Sequence, residues 1–155
     1  MIESCSVKDT VNLGRRIAGK FQPGDIVCLF GGLGSGKTVL TQGIAWGLGI
    51  KKEGVISPTF VLLRQYQRAR IPLYHFDLYR LKGDNDVLAL GYEEYLYGRG
   101  VSVIEWANRL KYLLPREYLG VELLIKGPKR RGIKLHAHGS RYRQLLKDLY
   151  AHIRH

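Results

Sequence analysis

A three-layer α/β fold, with a mostly parallel central sheet, antiparallel hairpin strands beside it and helices on both faces, is predicted by two features of the sequence. The first is an apolar run at residues 26–30, IVCLF, of the kind a strand buried on both faces requires. The second is its continuation in DIVCLFGGLGSGKTVLTQGIAWGLG: a glycine-rich turn, then Leu40, Ile44 and Leu48 recurring every four residues as on one helix face, with Gly49 placed to end the helix.

The turn is a phosphate cradle. Gly31, Gly36, Lys37 and Thr38 satisfy the G-x-x-x-x-G-K-[ST] pattern, in which glycines let backbone N–H groups converge on phosphate oxygens. Lys37 then reaches the β/γ phosphates and the Thr38 hydroxyl takes a position on Mg²⁺. Gly31, Leu33, Gly34, Ser35, Gly36, Lys37, Thr38 and Val39, the loop and first helical turn, are the candidate nucleotide contacts. The order strand, loop, helix is what a P-loop NTPase-like fold demands.

The remaining elements can be taken in chain order. Val7, Val11, Leu13, Gly14, Ile17 and Ala18 give residues 6–20 a roughly helical spacing, with Ser6 and Asp9 as an N-cap pair. Pro23, Gly24 and Asp25 turn the chain into the loop strand. Ser57-Pro58 imposes extended or turn geometry, so Thr59 falls on a loop or strand start. Residues 60–66 and 71–76 read as a hairpin across the polar link 67–70, with Leu73, His75 and Asp77 on one face of its second strand. Asp84 can cap a helix to residue 90, and residues 92–97 continue it after Gly91. Residues 101–104 form a buried-type strand ending at Glu105, and Leu110, Leu113, Leu114 and Pro115 a short irregular or helical passage. Residues 121–125 and 133–136 are strands flanking the hairpin tip GPKRRG. Residues 140–153 close the chain as a helix, with Tyr142, Leu145, Leu146, Leu149 and Ile153 on one side and Arg141, Lys147 and Asp148 on the other.

Bulk numbers limit the reading further. A length of 155 residues suits one domain over residues 1–155. Twenty-five Lys and Arg against 13 Asp and Glu give a net charge of +12, a field that draws polyanions or simply keeps a basic surface soluble. Lys126, Lys129, Arg130, Arg131 and Lys134 gather at one hairpin tip and Arg64, Arg68 and Arg70 at another, so direct nucleic-acid contact through these hairpins is open. Cys5 and Cys28 follow no metal spacing, and the five histidines show no ligand spacing. With neither a signal-like N-terminus nor an apolar run long enough to span a bilayer, a cytoplasmic protein with no membrane partner is expected.

A phosphate loop needs a carboxylate near its metal, usually at the carboxyl end of a neighbouring strand. Glu105 ends VSVI and Asp77 ends PLYHF. In the metal reading one holds Mg²⁺, directly or through water, and the other positions the attacking water. Otherwise each is a strand-end acid in a salt bridge or turn. The Thr59 hydroxyl reaches the γ-phosphate if its loop folds over the nucleotide, and Trp106 either stacks near the ligand or packs the core.

Four stretches, FGGLGSGKT at residues 30–38, SPTF at 57–60, HFDLYRL at 75–81 and VIEWANR at 103–109, together resemble the TsaE (YjeE) family, small P-loop ATPases of bacterial tRNA threonylcarbamoyladenosine (t6A) synthesis. DTVNLG at residues 9–14 is similar to that family's opening helix. The resemblance implies binding of ATP and Mg²⁺ and hydrolysis of ATP in company with the TsaD and TsaB proteins, of which TsaD transfers the threonylcarbamoyl group to the adenosine beside the tRNA anticodon. Carried over by position, Lys37 and Thr38 hold phosphate and metal, Thr59 belongs to a switch-like segment, Glu105 serves magnesium, and Asp77 positions water or γ-phosphate. Trp106 becomes a neighbour of the site. The sequence departs from the family at Gly32, where an acidic residue is frequent, and at Ala107, where a proline is.

No arginine has an obvious finger-like context beside the loop, so an ATPase slow alone and activated in a complex is expected. Two other classes share the motif: a small-molecule kinase, which needs an acceptor pocket and a lid, and a nucleotide-gated RNA-binding module, in which the basic hairpins do the work.

Overall fold

The structure, a computed structural model, describes residues 1–51 and 62–153. In it seven strands form one mixed sheet in the order β1-β7-β6-β2-β5-β4-β3. Strands β6 (Tyr118–Ile125), β2 (Ile26–Phe30), β5 (Val101–Glu105) and β4 (Leu73–Asp77) run parallel at the centre. Strand β3 (Leu63–Tyr66) is antiparallel to β4 at one edge, while β7 (Arg131–His138) and β1 (Ile2–Ser4) are antiparallel at the other. The α/β class and the hairpin strands expected from sequence are both present.

Burial of β2 on both faces explains its unbroken apolar run. Val27 and Leu29 point into a core with Ile17, Leu40, Ile44, Leu119, Val121 and Leu145; Ile26 and Cys28 point into a second core with Phe76, Leu96, Ile104 and Leu110. Burial pushes the Cys28 thiol far above its ordinary range, as an inert space-filling sulfur requires.

Helix α1 (Val7–Ala18) begins at Ser6, whose hydroxyl accepts from Asp9 N–H at 3.1 Å, while the Asp9 carboxylate accepts from Cys5 N–H at 2.9 Å. It lies against α2 (Lys37–Gly47), the helix that leaves the phosphate loop, with almost no side-chain layer between. A methyl group on Gly43 would come within 2.3 Å of the Val11 carbonyl oxygen, one on Gly14 within 2.6 Å of that of Leu40, and one on Gly47 within 2.7 Å of the Ala18 Cβ.

Other elements differ from expectation in detail. Strand β1 is too short to show a pattern and exists because Ile2, Glu3 and Ser4 pair with Ile133, Gly132 and Arg131. Strands β6 and β7 run longer than their apolar cores, since their ladder continues to Tyr118 opposite His138, where the two rings stack at 4.3 Å. Helix α3 (Asp84–Ala89) has Gly83, not Asp84, at its N-cap position, and the Asp86 carboxylate accepts from Lys82 N–H, one residue ahead of the cap, at 3.1 Å. Gly91, left-handed at φ 63°, separates it from α4 (Tyr92–Leu96). A kinked 3-10 passage covers Ala107–Leu113. In α5 (Ser140–Ile153) Tyr142, Leu145 and Leu149 are buried as expected. Arg141, expected on the outer side, instead donates to both carboxylate oxygens of buried Asp25, at 3.0 and 2.7 Å, and to the Lys20 carbonyl at 2.7 Å.

The glycine contacts make the α1–α2 seam intolerant of added volume. Gly43→Ala is expected to lower unfolding free energy by about 3 kcal/mol, the upper end for overpacking because the obstacle is backbone. The check is a fall in the urea midpoint with the slope unchanged.

Candidate functional site

The glycine-rich turn leaves the carboxyl end of β2 and enters α2 at Gly36, whose φ of 103° only glycine adopts without strain. Gly31 is required for a second reason: a Cβ there would sit 2.5 Å from Ser35 Oγ and 2.8 Å from the Leu123 carbonyl oxygen. Gly32 meets nothing within 4 Å, so no steric demand explains glycine there. The Ser35 N–H donates to the Gly32 carbonyl at 3.2 Å and closes the crown of the loop.

Lys37, the first residue of α2, folds its side chain back over the loop. Its Nζ donates to the Gly31 and Gly32 carbonyls, each at 2.8 Å, and to Ser35 Oγ at 3.3 Å, and lies 4.0 Å from the centroid of the Trp106 ring. Burial lowers the Lys37 pKa; Glu105 and then Asp77 pull it back up. Trp106 reaches the ammonium because it leaves β5 in the left-handed region, φ 59° and ψ 41°, and it also meets Tyr79 at 5.0 Å between ring centroids. Ala107 after it is fully buried, packed in the core beneath.

The acids stand side by side, Asp77 and Glu105 being partners in the β4–β5 register. Thr38 Oγ1 donates to Glu105 Oε1 at 2.9 Å, joining the first turn of α2 to the end of β5. Asp77 Oδ1 accepts from Tyr79 N–H at 3.0 Å. Side chains of this charge are seldom so hidden: Lys37 is 5%, Asp77 7% and Glu105 2% exposed. The Asp77 carboxyl is raised above its ordinary range, chiefly by burial, against which the Tyr79 N–H works.

One polar partner was not expected. His75, 1% exposed, is hydrogen-bonded through Nε2 to Glu105 Oε2, and its Nδ1 has no partner among the described residues. Its signals in the sequence are the two-residue spacing from Asp77, which puts both on one face of β4, and its place at the head of HFDLYRL. The ring orients the carboxylate whose other oxygen holds Thr38.

Around these groups lies a cavity of about 680 Å³. Leu33, Gly34, Ser35, Gly36, Lys37, Thr38, Val39, Asp77, Glu105 and Trp106 all border it; Thr59 falls outside the described residues. Sequence reasoning did not find its remaining walls. One is the start of α1, with Ser6, Val7, Lys8 and Thr10, and another is the β6–β7 hairpin, with Pro128, Lys129 and Arg131. Four cations, Lys8, Lys37, Lys129 and Arg131, thus face two carboxylates. One arginine does stand beside the loop, though not in a finger-like setting: Arg131 Nη2 donates to the Gly34 carbonyl at 3.0 Å and its Nη1 to those of Gly127 and Arg130. Pairing of β7 with β6, which no short-range pattern encodes, brings it there.

A strand-turn-helix cradle at the carboxyl end of a central parallel strand, with hidden lysine, hydroxyl and acids converging on it, defines a P-loop protein of the α/β class. Comparison then places it more narrowly: a family model described as "Threonylcarbamoyl adenosine biosynthesis protein TsaE" matches residues 4–133. The tRNA threonylcarbamoyladenosine biosynthesis protein TsaE of Bacillus subtilis (strain 168) is 39% identical over 145 residues, 94% of this chain and 90% of its own. That of Treponema pallidum (strain Nichols) is 41% identical over 122 residues, 79% of this chain and 89% of its own. The crystal structure of Bacillus subtilis YdiB superposes with a TM-score of 0.85 at 34% identity, covering 97% of this chain and 93% of that one. The chain belongs to the TsaE family, whose members act in tRNA t6A biosynthesis.

The hidden Asp77 has a consequence for stability. A carboxyl whose folded pKa is raised favours the protonated folded state, so stability falls as pH climbs from the ordinary carboxyl range through the raised one and stays reduced above it. Asp77→Asn, which can still accept from Tyr79, is therefore expected to raise Tm of the nucleotide-free protein at pH 7. The gain shrinks toward zero as the pH falls below about 4. Thermal melts at pH 7 and pH 3.5 check both halves.

Proposed function

We propose that this protein binds ATP with Mg²⁺ and hydrolyses it as the ATPase component of the t6A machinery, working with TsaD and TsaB. One observation carries the reading: the Thr38 hydroxyl and the Glu105 carboxylate meet at 2.9 Å beside Lys37, at the mouth of a glycine cradle.

The donor set fits magnesium. Among the described residues there is no group of three or more His, Cys, Asp and Glu that could hold a metal alone. Mg²⁺ characteristically takes one or two protein oxygens and completes its shell with phosphates and water. Thr38 and Glu105 would hold it, and when bound it neutralises charge developing on the phosphate oxygens. Lys37, relieved of the Gly31 and Gly32 carbonyls, pairs with the β and γ phosphates; the loop amides and the N-terminus of α2 supply further positive potential. Asp77, held by Tyr79, is placed to accept a hydrogen bond from the attacking water, and its raised pKa improves its competence as a proton acceptor. His75 keeps the Glu105 carboxylate turned toward Thr38. The Thr59 hydroxyl is assigned to the γ-phosphate, on the resemblance of SPTF to the family's switch-like segment.

Arg131 alters the ground for slow turnover without removing it. Its Nη1 donates to the Gly127 and Arg130 carbonyls and its Nη2 to Gly34, on the β6–β7 flank of β2, whereas the acids stand on the β4–β5 flank. Among the described residues that line the cavity no guanidinium is free to meet the transition-state charge, an omission that typically costs 10³-fold or more in rate. Association with TsaB and TsaD is the proposed remedy. Among the described residues no helix is long and apolar enough to cross a membrane.

Lys37→Ala is expected to abolish ATP binding in calorimetric titration. Glu105→Ala should retain binding yet lose on the order of 10²-fold or more in phosphate release, by removing the metal's carboxylate. Normal hydrolysis by both variants refutes the assignment. Adding TsaB and TsaD should raise turnover of the wild-type protein at least tenfold; an unchanged rate removes the partnership from the reading.

A further inference from the structure

The β6–β7 hairpin packs on the phosphate loop through Leu123 and hydrogen-bonds to its crown through Arg131. Arg131 is the first residue of β7, and its backbone is held on both sides, in register with Ile125 of β6 and Ser4 of β1. Its guanidinium is held as well: Nη1 donates to the Gly127 carbonyl at 2.8 Å and to that of Arg130 at 2.9 Å. The remaining arm, Nη2, donates at 3.0 Å to the Gly34 carbonyl, at the crown of the loop where φ is 76°. Gly34 itself has open space around it and no side chain to fix it. Arg131 thus ties the loop crown to the sheet by a hydrogen bond.

We propose that Arg131 is a positioning residue of the phosphate loop, which it holds in its binding conformation by anchoring the Gly34 peptide to the β6–β7 hairpin. This rests on the reading that the loop takes a polyphosphate. A glycine-rich loop whose amides must converge on an anion loses backbone freedom when it binds, and that loss lowers affinity. An anchor present beforehand adds order at the crown to that given by the Ser35 N–H to Gly32 bond at 3.2 Å and by the Lys37 bonds to the Gly31 and Gly32 carbonyls. Fixing one such peptide is worth about tenfold in Kd. A lysine cannot replace it, because one ammonium on a flexible stem does not span the Gly127, Arg130 and Gly34 carbonyls as a rigid fork does. The contact is to the loop and not to one phosphate, so ATP and ADP depend on it equally.

The test uses full-length wild-type, R131Q and R131K protein, with two measurements. Hydrogen exchange in the absence of nucleotide should show amides of residues 32–36 exchanging faster in both variants, while those of β2 and of the middle of α2 are unchanged. A merely structural loss would accelerate exchange throughout. Calorimetric titration should give Kd values for ATP and for ADP both raised about tenfold in R131Q and raised by a similar factor in R131K, with kcat at saturating ATP within twofold of wild type. Unchanged loop exchange overturns the proposal, as does full rescue by R131K, or loss of ATP affinity with ADP affinity intact. If R131Q does not fold, R131K alone decides. If wild-type protein fails to bind ATP, the ATPase reading falls, and the exchange measurement still decides whether Arg131 anchors the loop.

Discussion

The site depends on where α2 begins, and backbone contact fixes that. Gly14, Gly43 and Gly47 let α1 and α2 approach until carbonyl oxygens of one face the α-carbons of the other. A cushion of side chains would let the helices slide over one another through rotamer changes, whereas bare backbone gives a single seating. With α2 seated, Gly36 turns the chain, Lys37 folds over the loop and Thr38 lies within reach of Glu105. A displacement of an ångström along that seam would separate the hydroxyl from the carboxylate, a loss on the scale that positioning effects reach in catalysis.

Lys37 shows how the loop accommodates its own charge. The ammonium is surrounded by two carbonyls, a hydroxyl and an indole face, so it is hidden without being stranded. On the proposed ATP-binding reading, an arriving anion replaces existing partners and does not meet a bare charge. The net gain is the difference between two well-solvated arrangements, which favours discrimination over raw affinity.

The central half of this arrangement was legible in the sequence. A strand buried on both faces cannot alternate, and β2 does not; a phosphate loop needs glycines, lysine and a hydroxyl at fixed spacing, and these are local facts. Asp77 and Glu105 were readable as strand-end acids, and the parallel register makes them neighbours. What could not be read is whatever depends on strands distant in sequence. His75 meets Glu105 only because β4 lies beside β5, and Arg131 meets Gly34 only because the hairpin folds over from the other flank. The three residues of β1 carry no period at all, and their conformation comes from β7. Asp84 reads as a helix cap by residue type, yet Gly83 holds the N-cap position, a shift of one residue that a short polar stretch does not encode.

The order of strands also bears on how the molecule is made. Strand β2 lies between β5 and β6, which both come much later in the chain, and the Ile26 N–H finds its acceptor in the Tyr142 hydroxyl of the final helix, at 2.8 Å. As the polypeptide leaves the ribosome, the strand carrying the glycine turn has no lateral partner until Val101 and the residues after it have emerged. Such long loops close slowly. The cradle is therefore among the last features to assemble, and a truncated nascent chain, however much of α1 and α2 it already holds, exposes an unpaired apolar edge in place of a pocket.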